Sequence, residues 1–82
     1  MQLTMDAFTG VMADTFNQPS LQITREMTSK DVPGWDSLSH VRLVLALEDS
    51  FGVMLEVGDT MELADVGALF DYVSEALATQ KK

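Results

Sequence analysis

The stretch from Val32 to Val53, VPGWDSLSHVRLVLALEDSFGV, decides the fold. Pro33-Gly34 predicts a turn, Asp36 or Ser37 suits the start of a helix, and Gly52 suits its end just past Ser50 or Phe51. Between these marks the apolar residues recur at helical rather than alternating spacing. At about 100° per residue, Leu43, Ala46, Leu47 and Phe51 gather on one side, with Leu38, Val41 and Leu45 roughly opposite. One stripe faces a core. In so small a bundle the other is expected to stay at least partly exposed and to mark an interface, with Glu48 and Asp49 at its end. The competing account is that the preceding loop covers it.

Working outward, Met5, Phe8, Val11, Met12 and Phe16 have the three-four spacing of one helix face, which predicts a first helix from about Thr4 to Asn17. Asn17-Gln18-Pro19-Ser20 stops it, with Pro19 restricting Gln18. LQITREMTSKDVP, from Leu21 to Pro33, has poor periodicity and predicts a long loop pinned to the core by Leu21, Ile23 and Met27. After Gly52, Asp59 or Thr60 is expected to cap a brief third helix through about Leu63. A fourth helix fits Asp65 to about Ala78, with Val66, Leu69, Phe70, Val73, Ala76 and Leu77 on one face. Gln80-Lys81-Lys82 is expected as a solvated end. The expected fold is therefore all-α: residues 1–82 as one domain, a small bundle of three principal helices plus one short helix, with a long loop after the first.

A chain of 82 residues buries only about 60 to 65% of its unfolded surface. That leaves little wall for an enzyme cleft, so chemistry done to the protein is favoured over chemistry done by it. No apolar run approaches the ~20 residues of a membrane span. The opening MQLTMDAFTG lacks the basic-then-apolar pattern of a signal peptide, so a soluble, cytoplasmic protein is expected. A net charge of -8 repels phosphate backbones and anionic membranes, which argues against nucleic-acid and membrane partners. From Leu43 to Gln80 the charged residues are Glu48, Asp49, Glu56, Asp59, Glu62, Asp65, Asp71 and Glu75, all acidic. Such a surface confers solubility and attracts basic patches on proteins. With no cysteine, disulfides, thiolate metal sites and a cysteine nucleophile are excluded.

Asp36-Ser37 places a hydroxyl at the first turn of an apolar helix. On its own the pair is a helix cap. The same position, with free N–H groups and the positive end of the helix dipole, also suits a phosphodiester. His40 lies one turn on, but no strained turn or oxyanion hole accompanies it, so a Ser37-His40-Asp36 hydrolytic triad is disfavoured. His40 is expected on the helix surface near the core edge or the partner surface. Residues 59–70 fail the calcium-loop pattern, with Met61 and Leu63 where oxygen ligands are needed, and no metal is assigned. Met54 and Met61 suit flexible core filling better than the lining of an apolar channel, and the space between the second and third helices is the expected pocket.

These residues together carry a resemblance. The run from Val32 to Val53 is similar to the acyl carrier proteins, whose Asp-Ser-Leu signature carries 4′-phosphopantetheine on the serine. In that family the Leu-rich second helix follows the serine and a short aromatic-glycine pair closes it, as Phe51-Gly52 does here. The resemblance implies a carrier rather than an enzyme, with the arm on Ser37 and with Asp36 and Leu38 beside it. It implies a partner surface on Val41, Arg42, Leu45, Glu48, Asp49, Glu56 and Met61, and a monomer. The implied partners are a phosphopantetheinyl transferase, whose magnesium Asp36 would approach, and acyl-loading and acyl-modifying enzymes with basic docking patches. Trp35, and Arg42 where many fatty-acid carriers have an acid, resemble specialised or polyketide-type carriers. Carriage of aminoacyl or D-alanyl groups is the nearest alternative, although Gly34-Trp35-Asp36-Ser37 departs from the Gly-Gly-His/Asp-Ser pattern of peptidyl carriers. An unmodified helical interaction module is the alternative of another class.

Overall fold

A computed structural model describes residues 3–32, 34–63 and 65–80. Four helices follow in order, α1 (Met5–Thr15), α2 (Ser37–Phe51), α3 (Val57–Met61) and α4 (Val66–Gln80), with no strand among the described residues. The all-α bundle of three principal helices and one short helix is the expected fold.

Local chemistry sets most of the helix ends. Thr4 opens α1 by accepting the Ala7 N–H on its hydroxyl at 3.2 Å. The helix stops at the head of the expected segment rather than through Pro19: α1 ends at Thr15, and Asn17 takes the left-handed conformation with φ 54. Asn17 N–H then donates to the Asp14 carbonyl and Gln18 N–H to that of Ala13, which satisfies carbonyls the helix end leaves open. Asp36 caps α2 through the Ser39 N–H at 2.9 Å, and Gly52 closes it at φ 66. Pro33 lies outside the described residues, while Gly34 beside it takes φ 86.

The third helix starts earlier than expected. Asp59 and Thr60 lie inside α3, not at its cap, and Glu56 is the capping position without a side-chain bond. Its entry is held from elsewhere in the chain: Leu55 N–H donates to Glu48 Oε2 at 2.7 Å and Glu56 N–H to the Tyr72 hydroxyl at 3.2 Å. Gln80 is likewise more than a solvated end. It is the last residue of α4, and its amide brackets Met54, accepting the Met54 N–H at 2.8 Å and donating to its carbonyl at 2.9 Å. Lys81 and Lys82 lie outside the described residues.

The core joins three helices: Phe8 and Met12 of α1, Leu43, Val44 and Leu47 of α2, and Val66, Leu69, Val73 and Leu77 of α4. Phe8 meets Phe70 edge-on at 5.4 Å between centroids, a favoured aromatic geometry. Leu21, Ile23 and Met27 pin the long loop against this core, and Val32 near the end of the loop is buried.

That loop also caps α4. Val66 N–H donates to the Met27 carbonyl and Gly67 N–H to the Arg25 carbonyl, while Ala68 N–H donates to Asp65 Oδ1. Arg25 then makes a two-pronged ion pair with Asp71, at 3.2 and 2.7 Å. The hydrogen bonds between them hold the Asp71 carboxyl below its ordinary range and the Arg25 guanidinium above its own. The close approach requires Gly67, where a Cβ would stand 2.9 Å from Arg25 Cβ and 3.1 Å from its carbonyl oxygen. Such overpacking costs about 1 to 3 kcal/mol, against about 1 kcal/mol gained from alanine's helix propensity. Gly67→Ala is therefore expected to lower the urea midpoint; a raised midpoint would show that the loop yields without cost.

Candidate functional site

The start of α2 gathers the residues the sequence singles out. Asp36 is extended, with φ -121 and ψ -172, and its carbonyl accepts the His40 N–H at 2.8 Å while its carboxylate takes the Ser39 N–H. That backbone hydrogen bond from Ser39 is the main reason the Asp36 carboxyl lies below its ordinary range, so it is ionised at neutral pH. Ser37 is the first residue of α2 and is exposed. Leu38, beside it, is 71% exposed. The cap and the hydroxyl at the site therefore belong to different residues.

A cavity of about 350 Å³ opens next to Ser37. Its walls come from Trp35, Ser37 and His40 at the start of α2, Thr60 and Met61 on α3, and Leu69 on α4. The space expected between the second and third helices is present, and the long loop and α4 complete it. Met61 lines it while remaining 55% exposed, whereas Met54 is 79% exposed and lies away from it. Neither methionine is core filler, which corrects that expectation; Met12 fills that role.

His40 is buried rather than on the helix surface. Trp35 Nε1–H donates to its Nδ1 at 3.0 Å, and its Nε2 lies 2.8 Å from the Thr60 hydroxyl. With both ring nitrogens engaged away from Ser37, no serine-histidine pair forms. Burial pushes the His40 imidazolium's pKa below the ordinary 6.5, so the ring is neutral at pH 7.

Along α2, Leu38, Val41, Arg42 and Leu45 are exposed at spacings of three, four and seven residues, one continuous face. The long loop does not cover it. Asp49 and Glu56 are exposed, but Glu48 is half-buried and occupied with the Leu55 N–H. Glu56 stands at the opposite end of α3 from Met61. The structure thus brings Ser37, Asp36 and Met61 around one cavity and Leu38, Val41, Arg42 and Leu45 onto one face. Among the described residues no group of three or more His, Asp or Glu is placed to hold a metal, and no helix is long and apolar enough to cross a membrane.

No protein-family model matches the chain. It is 35% identical over 66 residues to the acyl carrier protein of an Exiguobacterium species, covering 80% of this chain and 84% of that protein. It is 30% identical over 76 residues to acyl carrier protein 3 of Ralstonia nicotianae, covering 93% and 87%. Its fold matches the solution structure of the holo acyl carrier protein from Geobacter metallireducens with a TM-score of 0.84 at 36% identity, over 94% of this chain and 88% of that one. The chain belongs to the acyl carrier protein family.

Acyl carrier proteins are carriers, not enzymes, and the family generally works with a phosphopantetheine prosthetic group. Within this acyl carrier protein the residues that sequence reasoning missed are the inner cavity wall, His40 and Thr60 above all. One signal for His40 was present: residues 40, 43, 44 and 47 form a stripe at helical spacing, one position round from the stripe through Ala46.

Proposed function

We propose that this protein carries acyl groups as thioesters on a 4′-phosphopantetheine arm attached to Ser37, in specialised fatty-acid or polyketide-type biosynthesis. The observation that carries the proposal is the exposed Ser37 hydroxyl on the first turn of α2, at the mouth of a cavity of about 350 Å³. The surrounding residues fit the group. First-turn N–H groups lack partners within a helix and suit a phosphodiester, and the cavity offers Trp35, Met61 and Leu69 beside polar Ser37 and Thr60. When bound, the group supplies the terminal thiol that a chain without cysteine lacks.

The chain's own work is presentation. Asp36 fixes the start of α2 and keeps an ionised carboxylate beside Ser37, placed for the magnesium of a phosphopantetheinyl transferase. Leu38, Val41 and Leu45 offer an apolar face to that transferase and to acyl-loading and acyl-modifying enzymes. Asp49 and Glu56, with the acidic half of the chain around them, steer partners with basic patches. Arg42 on the same face, with Trp35 ahead of the serine, favours a specialised pathway over the housekeeping fatty-acid system. The protein works as a cytoplasmic monomer.

The test is intact mass after incubation with a transferase and coenzyme A, followed by competition between an acyl ligase and an amino-acid ligase. One arm and preferential acyl loading are expected. A wild-type mass left unchanged by several transferases would end the carrier proposal in favour of an unmodified interaction module. Efficient loading only by the amino-acid ligase would make it an aminoacyl or D-alanyl carrier.

A further inference from the structure

An indole N–H is a donor only, so the bond from Trp35 Nε1 fixes His40 Nδ1 as an acceptor. The ring planes lie 10° from parallel with centroids 6.0 Å apart. That is too far for face-to-face stacking and right for an in-plane hydrogen bond, with donor and lone pair aligned. The proton of neutral His40 therefore sits on Nε2 and is donated to Thr60 Oγ1, whose own hydroxyl proton goes to the Val57 carbonyl at 2.7 Å. The bonds run in one direction from the segment before Ser37, through α2, into α3. Thr60 is 2% exposed, and the described buried polar side-chain atoms all have partners.

We propose that the Trp35-His40-Thr60 chain is a latch that positions α3 as the far wall of the cavity beside Ser37, and that it closes only on neutral His40. Protonation places an N–H on Nδ1 facing the indole N–H, two donors with no acceptor between them. Trp35 must then leave its partner, and it also packs against Phe16, the residue that follows α1, at 5.6 Å between centroids, so the change reaches the end of that helix. His40 is a positioning residue here and touches no cargo chemistry.

The groups that bear on its titration are few. Asp36 and Asp65 share the cavity wall with it. Asp59 and Glu62 flank Thr60 on the α3 side and are exposed, as are Lys30 and Asp31 beside Ser29 of the long loop, and Arg42 on α2. The apolar Phe16, just past the end of α1, packs against Trp35 on the other side. Burial sets the direction, and the folded value lies below 6.5. The sign follows: the unfolded chain binds more protons in this window, so the contribution to stability is complete above about pH 6.5 and is lost as pH falls through the lower folded value.

The latch is a property of the unmodified chain, so its test is independent of the arm. With one tryptophan and one histidine in the sequence, both ends report without ambiguity. In NMR titrations of the unmodified protein between about pH 4.5 and 8, the Nε2–H tautomer is expected at the upper end. As His40 titrates, exchange of the Trp35 indole proton, acrylamide quenching of Trp35 and exchange of the Thr60 and Met61 amides should all rise at its midpoint. Trp35→Phe removes the opposing donor and should raise the His40 midpoint by about half a unit to one unit. Thr60→Val removes the acceptor of a charge-assisted bond and should lower it by a similar amount, with Thr60→Ser restoring it. An Nδ1–H tautomer would overturn the latch, as would both substitutions moving the midpoint in one direction. So would α3 amides that stay protected while His40 titrates.

Discussion

Ser37→Ala is expected to abolish arm attachment completely while leaving the fold as it is. Intact mass after incubation with a transferase and coenzyme A should stay at the unmodified value, whereas wild type gains one arm. Helical circular dichroism and the urea midpoint should match wild type, because Ser37 is exposed and a surface substitution of this kind stays within about 0.5 kcal/mol. The structure makes this separation possible by dividing two roles between neighbours. Asp36 accepts the Ser39 N–H and caps α2, so Asp36→Ala is the change that should lower the melting temperature. A Ser37→Ala protein that still gains an arm would move the attachment to another hydroxyl, Ser39 lying two residues on. A Ser37→Ala protein that loses stability as Asp36→Ala does would restore the view of Ser37 as a cap.

The parts of this fold legible in the sequence are those fixed by neighbouring residues. The bounds of α2 follow from Asp36 and Gly52, each acting within one helical turn. The face of α4 follows from its apolar spacing, and Val66, Leu69, Val73 and Leu77 are buried accordingly. What escaped was fixed at long range. The entry to α3 depends on Glu48, Tyr72 and Gln80, which hold Leu55, Glu56 and Met54 from seven, 16 and 26 residues away, each beyond a helical turn. A five-residue helix is too short to show a period of its own. At the first helix the stop segment was legible but not the residue that acts: Asn17 adopts a left-handed backbone and ends the helix before Pro19 can act. The site divides in the same way. Asp36, Ser37 and Leu38 are contiguous and visible as a motif, whereas the cavity draws its walls from the long loop, α2, α3 and α4. Burial of His40 needed both Trp35 and Thr60 as partners, and no local pattern shows that Thr60 comes within reach.

The two faces of α2 should separate sharply under alanine substitution. Leu43 and Leu47 are fully buried in the shared core, while Leu45, two residues from each, is 57% exposed. Leu47→Ala or Leu43→Ala leaves a cavity in a core of few large side chains, and such truncations cost about 2 to 5 kcal/mol. A chain of this size has a total stability of only about 4 to 12 kcal/mol, so either variant should show a greatly lowered urea midpoint with an unchanged slope. Leu45→Ala removes surface that faces water and should hold its midpoint within about 0.5 kcal/mol of wild type. Its loss should appear instead in the rate at which the transferase and acyl-loading enzymes act on it, measured well below the melting temperature. Val41, 36% exposed, should fall between the two patterns, with a smaller stability loss than Leu47→Ala and a partner defect that Leu47→Ala lacks under folded conditions. Equal loss of stability at Leu45 and Leu47 would place the outer stripe in the core, and a Leu45→Ala protein modified at the wild-type rate would remove that stripe from the docking surface. Two residues of the same type, one helical half-turn apart, then report separately on what holds the bundle together and on what its partners touch.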